Sequence, residues 1–349
     1  MPEAPRQVRV WSDGCFDVVH FGHANQLRQA KAMGDHLVVG VHSDADIAAN
    51  KREPIYKEQE RYRLIRGIRW VDEVVEGSSY FPNADNTLDK HGCAFCVHGN
   101  DLSLTTDGTD AYAAVKAEGR YRECERTVGV STTDTIQRIL ALNRPRQWRS
   151  NSGDVHSPWT KCADFVASTR LLAKFASNRD PKPTDRIVYV DGTFDLFCEG
   201  HLAFLEEARR QGDYLIVGVY GDDTAARAKG RFPIKNLHER VITCMAYKPV
   251  DEVLMDVPYH LTRDFLQLHN VELVCSGRKV SHDPHDDPYA VPKADGMYRL
   301  VDSQCSVTTN TIIARVRRQC STLRNGIRLK EQMELEAFAD GHVSTAEAN

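Results

Sequence analysis

Two histidines three residues apart, His20 and His23, flank Gly22 and follow the segment Asp13-Gly14-Cys15-Phe16-Asp17. At a helix start such a pair falls on one face. Backbone N–H groups at the helix terminus lack intrahelical partners and attract anions. Gly22 removes a side chain where a phosphate must approach the backbone. Imidazole and amide donors together suit a reaction in which negative charge grows on a transferred phosphoryl group and its leaving group. His-x-x-His is also open to a metal, but no third ligand is evident in the sequence, so no protein-held metal is expected.

The same text returns 178 residues further on, as Asp191-Gly192-Thr193-Phe194-Asp195 followed by Cys198, Gly200 and His201, with Cys198 in place of the first histidine. The repeat continues. Leu27, Ala30 and Met33 stand at helical spacing within Ala24–Met33, with Gly34 as the stop, and Leu202, Leu205, Ala208 and Gly212 repeat the pattern. Leu37–Val41 and Leu215–Val219 read as strands, and Lys51 matches Lys229. A one-residue insertion then shifts the offset to 179, where Pro54-Ile55, Glu60-Arg61, Val71–Val74 and Tyr80 match Pro233-Ile234, Glu239-Arg240, Val250–Val253 and Tyr259. Later, Thr132-Thr133 corresponds to Thr308-Thr309 at an offset of 176.

Short apolar strands alternating with amphipathic helices predict an α/β fold, here two tandem Rossmann-like, doubly wound parallel sheets. Such sheets bind ligands at the carboxyl ends of the strands, where the strand order reverses. The opening motif sits there, between a strand at Val8–Trp11 and a helix starting near Gly22. The expected domains are 1–143 and 186–328, with a linker at 144–185 and a tail at 329–349. The linker edges, Asn143–Arg146 and Asp180–Pro183, are polar and proline-bearing, whereas Phe165–Phe175 is apolar enough to fold onto a domain. The tail reads as a short helix over Leu329–Ala339 and a polar end.

At 349 residues, 41% hydrophobic and 27% charged, the chain has the balance of a globular protein with two domains. A formal charge of −4 argues against general nucleic-acid or anionic-membrane binding, which needs a basic surface. No apolar run reaches the length of a membrane span, and Met1–Gln7 lacks the apolar stretch of a secretory signal, so a cytoplasmic location is expected. The single Cys-x-x-Cys, Cys93–Cys96, adjoins a strand at Ala94–Val97, which turns the two sulfurs to opposite faces and away from a shared metal. The loop after the first strand lacks Gly-x-Gly-x-x-Gly, which argues against a dinucleotide dehydrogenase.

A second segment, Arg126-Thr127-Val128-Gly129-Val130-Ser131-Thr132-Thr133, leads into a helix near Asp134. Its hydroxyls, its arginine and the helix-terminal amides can together hold a triphosphate. With both segments the chain resembles the cytidylyltransferase family, within the wider H-x-G-H nucleotidyltransferase superfamily. The second segment resembles that family's R-T-x-G-[IV]-S-T-T and sets the chain apart from class I aminoacyl-tRNA synthetases. The resemblance implies transfer of CMP from CTP to a phosphate acceptor, with release of pyrophosphate. The acceptor oxygen attacks the α-phosphorus directly, without a covalent enzyme intermediate, and Mg²⁺ accompanies the triphosphate. Two tandem copies resemble the members of the family that use phosphoethanolamine, on the route to phosphatidylethanolamine. Phosphocholine or glycerol phosphate are the other acceptors, and a nucleotide-sensing module without turnover is the other class. The single-copy phosphocholine members carry a long basic membrane-binding helix, which this chain lacks.

By matching position, the resemblance places His20 and His23 on the CTP phosphates, Lys51 on the reacting phosphates, and Arg126, Thr127, Ser131, Thr132 and Thr133 on the β and γ phosphates. Gly129 and Val130 belong to that same loop. Cys15, Phe16 and Gly22 line the nucleotide, and His98-Gly99-Asn100-Asp101 lies near the cytosine and the acceptor. Asp13, Tyr80 and Asp101 are candidates for the acceptor; an anion and an aromatic suit its ammonium. Glu60-Arg61 leaves two readings open, a buried structural pair or a ligand.

The second copy keeps Thr193, Phe194, His201, Lys229, Thr308 and Thr309 as a residual nucleotide site. It departs at Cys198 and at Asp302–Val307, the segment aligned with Arg126–Ser131, where an anion stands in place of a cation. This half is expected to be catalytically weak or inactive, and to regulate or to pack on the first half as an intramolecular pseudo-dimer partner.

Overall fold

Each copy of the repeat folds around one five-stranded parallel sheet. The computed structural model describes residues 7–100, 109–142, 165–278 and 286–328. Asp101, most of the linker and the tail lie outside the described residues.

The first half runs β1 (Arg9–Gly14), α1 (Phe21–Lys31), β2 (His36–Val41), α2 (Asp44–Asn50), α3 (Glu58–Arg66), β3 (Glu73–Glu76), β4 (Phe95–Gly99), α4 (Ala113–Ala117), β5 (Tyr121–Cys124) and α5 (Thr132–Ala141). Then α6 (Thr169–Phe175) precedes the second half. That half comprises β6 (Ile187–Gly192), α7 (Glu199–Arg209), β7 (Tyr214–Val219), α8 (Asp222–Lys229), α9 (Leu237–Met245), β8 (Glu252–Met255), α10 (Arg263–Leu268), β9 (Leu273–Gly277), α11 (Ala290–Ala294), β10 (Tyr298–Val301) and α12 (Thr309–Arg318).

The sheet orders are β3-β2-β1-β4-β5 and β10-β9-β6-β7-β8, with parallel pairing throughout. The order therefore reverses at β1/β4 and at β6/β9, and the opening motif of each copy leaves its sheet at that crevice. The central strands are apolar on both faces because helices cover both. Val10, Trp11, Leu37, Val38, Val39 and Val41 are all buried. The first strand is longer than predicted and shifted, ending at Gly14, because its polar Ser12 and Asp13 are also buried. The strand expected at Ala94–Val97 runs Phe95–Gly99, which leaves Cys93 outside it.

The halves meet through paired contacts that exchange their roles. Ile68 bridges Tyr247, its own counterpart in the other copy. Arg138 of α5 binds Glu239 of α9 at 2.7 Å and the Ile234 carbonyl at 3.2 Å. Arg315 of α12 binds Glu60 of α3 at 2.6 and 2.7 Å and the Ile55 carbonyl at 3.0 Å. Glu60 and Arg61 are both buried, yet they do not pair with each other: Arg61 serves Asp44 and the carbonyls of Cys15, His42 and Tyr56 within its own half. The linker joins this seam. Phe165 lies on Phe21, its carbonyl accepts from Asn236, and Phe175 meets Trp70 edge-on.

Candidate active site

The loop from β1 to α1 is strained. Phe16 and Val18 both have positive φ, at 48° and 49°, which a β-branched valine rarely adopts. The surroundings over-determine this shape. The Asp17 carboxylate accepts from the backbone of Ile55 and Tyr56 at 3.0 and 2.9 Å and pairs with Arg52 at 3.1 Å, while Arg61 holds the Cys15 carbonyl. The loop thus delivers His20 as the residue that opens α1.

The rings of His20 and His23 stack at 3.9 Å between centroids and 15° between planes. The His20 backbone N–H donates to His23 Nδ1 at 3.3 Å, so the proton of the neutral His23 ring sits on Nε2. His20 is buried and its Nδ1 has no partner among the described residues. Burial above all, then the charges of His23, Lys235 and Arg126, hold His20 well below the usual histidine range. At neutral pH this imidazole is a neutral hydrogen-bonding group.

The segment 126–133 closes on the same place. Its loop is tied at three points: the Arg126 N–H donates to Asn100 Oδ1 at 3.0 Å, Asn25 of α1 donates to Thr127 Oγ1 at 2.9 Å, and Thr132 Oγ1 donates to the Asp17 carbonyl at 3.1 Å. Ser131 caps α5 by accepting from the Asp134 N–H. Gly129 turns the chain with φ 78°. Val130 is buried against the start of α1: a Cβ on Gly22 would stand 2.8 Å from Val130 Cγ1 and 2.9 Å from His20 Nδ1. The glycine is therefore required by the ring and the valine themselves, beyond any ligand. Thr133 lies in the first turn of α5. The amino ends of α1 and α5, the histidine pair and Arg126 thus converge. Lys51 ends α2, exposed, with no side-chain partner among the described residues.

Phe16 meets His23 edge-on at 5.6 Å. The remaining candidates form a polar cluster at the ends of β1, β2 and β4. Asp13 is buried, its oxygens accepting from Trp11 Nε1 at 3.0 Å and from the Tyr112 hydroxyl at 2.8 Å. An ammonium reaching Asp13 would share these oxygens through their second lone pairs. Tyr80 lies over His42 at 4.9 Å and hydrogen-bonds Cys15; burial and that thiol raise its hydroxyl above the usual range. His98 stacks near Tyr112 at 4.6 Å, and Gly99 ends β4. Sequence reasoning missed Asp17, Asn25, His42, Arg52 and Tyr112. For Asp17 a signal was present: Asp195 repeats it at the offset of the opening motif.

The second half keeps the frame and loses the cradle. Phe194 and Leu196 repeat the strained φ, and Asp195 holds the backbone of Ile234 and Lys235. Arg240 binds the Thr193 carbonyl, and the Thr193 hydroxyl is buried without a partner among the described residues. Here α7 opens on Cys198, whose thiol lies 3.4 Å from His201 Nδ1 and donates to the Val307 carbonyl at 3.6 Å. Burial pushes Cys198 up to about 12 and lowers His201 to about 4, with Lys229 contributing to the latter. A Cβ on Gly200 would collide with the Val307 carbonyl oxygen, so a backbone acceptor is pressed on the helix terminus that would attract phosphate.

The register of this segment differs from the sequence alignment by one residue. Thr309 Oγ1 donates to the Asp195 carbonyl as Thr132 does to Asp17, and Thr308 caps α12 as Ser131 caps α5. Ser303 therefore stands at the position of Arg126. The cation of the first loop is thus replaced by a neutral side chain, and Asp302 falls opposite Glu125 instead. A cavity of about 510 Å³ adjoins this loop, lined by Glu199, Glu207 and Asp302 with Arg63 and Arg210.

A family model described as cytidylyltransferase-like matches residues 11–138 and again 189–330. The ethanolamine-phosphate cytidylyltransferase of Mus musculus is 42% identical, covering 90% of this chain and 87% of that protein. The same-named protein of Dictyostelium discoideum is also 42% identical, covering 89% and 91%. A choline-phosphate cytidylyltransferase of Arabidopsis thaliana is 38% identical over only 39% of this chain. The long relatives match across both halves, and the chain belongs to the ethanolamine-phosphate cytidylyltransferase family.

Proposed function

We propose that the first half transfers the cytidylyl group of CTP to phosphoethanolamine, giving CDP-ethanolamine and pyrophosphate for phosphatidylethanolamine synthesis. The observation that carries the reading is the stacked histidine pair at the start of α1, locked to the 126–133 loop, in a chain whose relatives of that activity match along nine-tenths of its length. The acceptor phosphate oxygen attacks the α-phosphorus in line as pyrophosphate leaves. The protein aligns the two and stabilises the charge that develops. His20 and His23 donate to the phosphate oxygens. Arg126, Thr127 and the amino end of α5 with Ser131–Thr133 hold the β and γ phosphates, and Lys51 reaches in from the end of α2.

Mg²⁺ enters as part of the substrate, on the triphosphate. Among the described residues no three His, Cys, Asp or Glu side chains form a metal-holding group. Phosphate oxygens are the ligands such a hard ion takes. Asp13, Tyr80 and Asp101 are assigned to the ammonium end of the acceptor. Among the described residues no helix is long and apolar enough to cross a membrane. Among the described residues no two cysteines are joined in a disulfide, which fits a reducing cytoplasm. The reciprocal Arg138–Glu239 and Arg315–Glu60 contacts support an intramolecular pseudo-dimer.

The test is pyrophosphate release from Mg²⁺ and CTP with each acceptor in turn. Phosphoethanolamine is expected to give the fastest release. Faster release with phosphocholine or glycerol phosphate overturns the acceptor. CTP binding without release from any acceptor supports the sensing module instead.

A further inference from the structure

The side chain beneath each site comes from the opposite half. Tyr56 of the first half sends its hydroxyl to the Phe197 and Leu196 carbonyls at 3.1 and 3.4 Å, under Cys198. Its counterpart in the second half is Lys235, fixed by the same device: the backbone N–H donates to Asp195 as that of Tyr56 does to Asp17. Lys235 shares one small cavity with Val18, Val19 and His20 of the first half, about 10 Å³ in volume. The crossing is therefore reciprocal, but its chemistry is not. A phenol lies under the damaged site and an ammonium under the intact one.

Lys235 is only 7% exposed, and lysine is rarely buried unless paired. Its ammonium donates to Glu239 Oε1 at 3.1 Å, and Glu239 Oε2 accepts from Arg138 at 2.7 Å. Arg138 is paired with Asp134 as well, so two cations and two carboxylates form one network, and of its two cations Lys235 is the one that lines the His20 cavity. We propose that Lys235, supplied by the second half, is a positioning residue for the first half's phosphate site and acts through His20. The inference rests on the CTP reading of that site.

The groups around His20 give the direction of the effect. His23 faces it from α1, Arg126 from the loop before α5, and Lys235 from the second half. Arg240 lines the same cavity but is committed to Asp222 and to three carbonyls. Asp17, on the same loop as His20, is paired with Arg52. The Lys235 charge works with burial to keep His20 unprotonated. The ring then offers a fixed N–H to phosphate across the working pH range, and a protonated ring marks the acid limb of the activity profile.

The test compares Lys235→Tyr, which copies Tyr56, with Lys235→Arg, in the full chain. It reads kcat/KM for CTP against pH and the His20 ring titration by NMR, assigned with His20→Asn. Thermal unfolding verifies that each variant is folded. In Lys235→Tyr the acid limb and the His20 titration are both expected to move to higher pH, and in Lys235→Arg both stay at the wild-type position. A Lys235→Tyr protein that is folded, with both unmoved, overturns the proposal, because a merely structural lysine would change only the unfolding temperature. If the wild type makes no CDP-ethanolamine, the functional reading falls, and the ring titration alone still decides the role of Lys235.

Discussion

The two halves differ less in fold than in a handful of atoms. Both keep a strained loop after the first strand, an aspartate that gathers the loop backbone, a buried arginine that serves it, and a threonine that ties the last helix to it. Asp191 even accepts from Tyr289 at 2.6 Å, as Asp13 does from Tyr112. The second half has lost the first histidine, the cation of the phosphate loop and the open helix terminus. The shared features hold the fold, and they persist where the histidine, the loop cation and the open helix terminus are missing. The frame is therefore common to both halves, and the donors at the helix mouth are what set them apart.

Single substitutions can break this contrast. His23→Ala is expected to lower kcat by about a thousandfold, the scale of losing an oriented donor at a charged transition state. His201→Ala is expected to leave most of the turnover, and equal losses in pyrophosphate release would show that both halves act.

A smaller effect separates the two seams. In the Arg138–Glu239 pair both side chains are almost fully buried, at 4% and 1% exposure, against 15% and 6% for Arg315–Glu60. Glu239→Ala is expected to destabilise the fold by about 3–5 kcal/mol, the range for breaking a buried pair, because Lys235 loses its carboxylate although Arg138 keeps Asp134. Glu60→Ala should cost less in chemical denaturation, and the reverse order would refute the ranking.

The mildest effect is on acid stability. His201 is held near 4 in the fold, against an ordinary 6.5. Its unfolded form binds the extra proton below about pH 6.5, so stability falls as pH drops towards 4. This contributes about 2 kcal/mol of loss between pH 7 and 5. Asp191, raised to about 6, works in the opposite sense, gaining stability as pH falls through 6. Urea titrations of His201→Gln should show that much less acid sensitivity than wild type. An unchanged slope would mean that the ring is not buried neutral.

Much of the site was legible because a duplicated text marks the residues the fold must hold. The doubly wound sheets followed from alternating strands and helices, and the capped loop at 126–133 from its hydroxyls and glycine. The contacts between the halves were not legible. Arg138 and Glu239 are 101 positions apart and carry no local pattern, so Glu60-Arg61 left a buried pair and a ligand both open, when the partner of each residue lay elsewhere. The one-residue slip at Thr308-Thr309 arose in a polar stretch where neighbouring threonines are interchangeable on paper. The hydrogen bond from Thr309 to Asp195 and the cap that Thr308 gives α12 distinguish them. Nothing local announces Tyr112, 99 positions from Asp13, as a partner of its carboxylate.

Ile68 facing Tyr247 has a consequence for how such a molecule can evolve. Two identical subunits meeting on an axis must carry every change twice, so a lysine introduced beneath one crevice would appear beneath both. Fusion into one polypeptide removes that constraint and holds the partners together at high effective concentration. Each copy can then specialise as donor or recipient, and a tyrosine can face one way across the axis while a lysine faces the other.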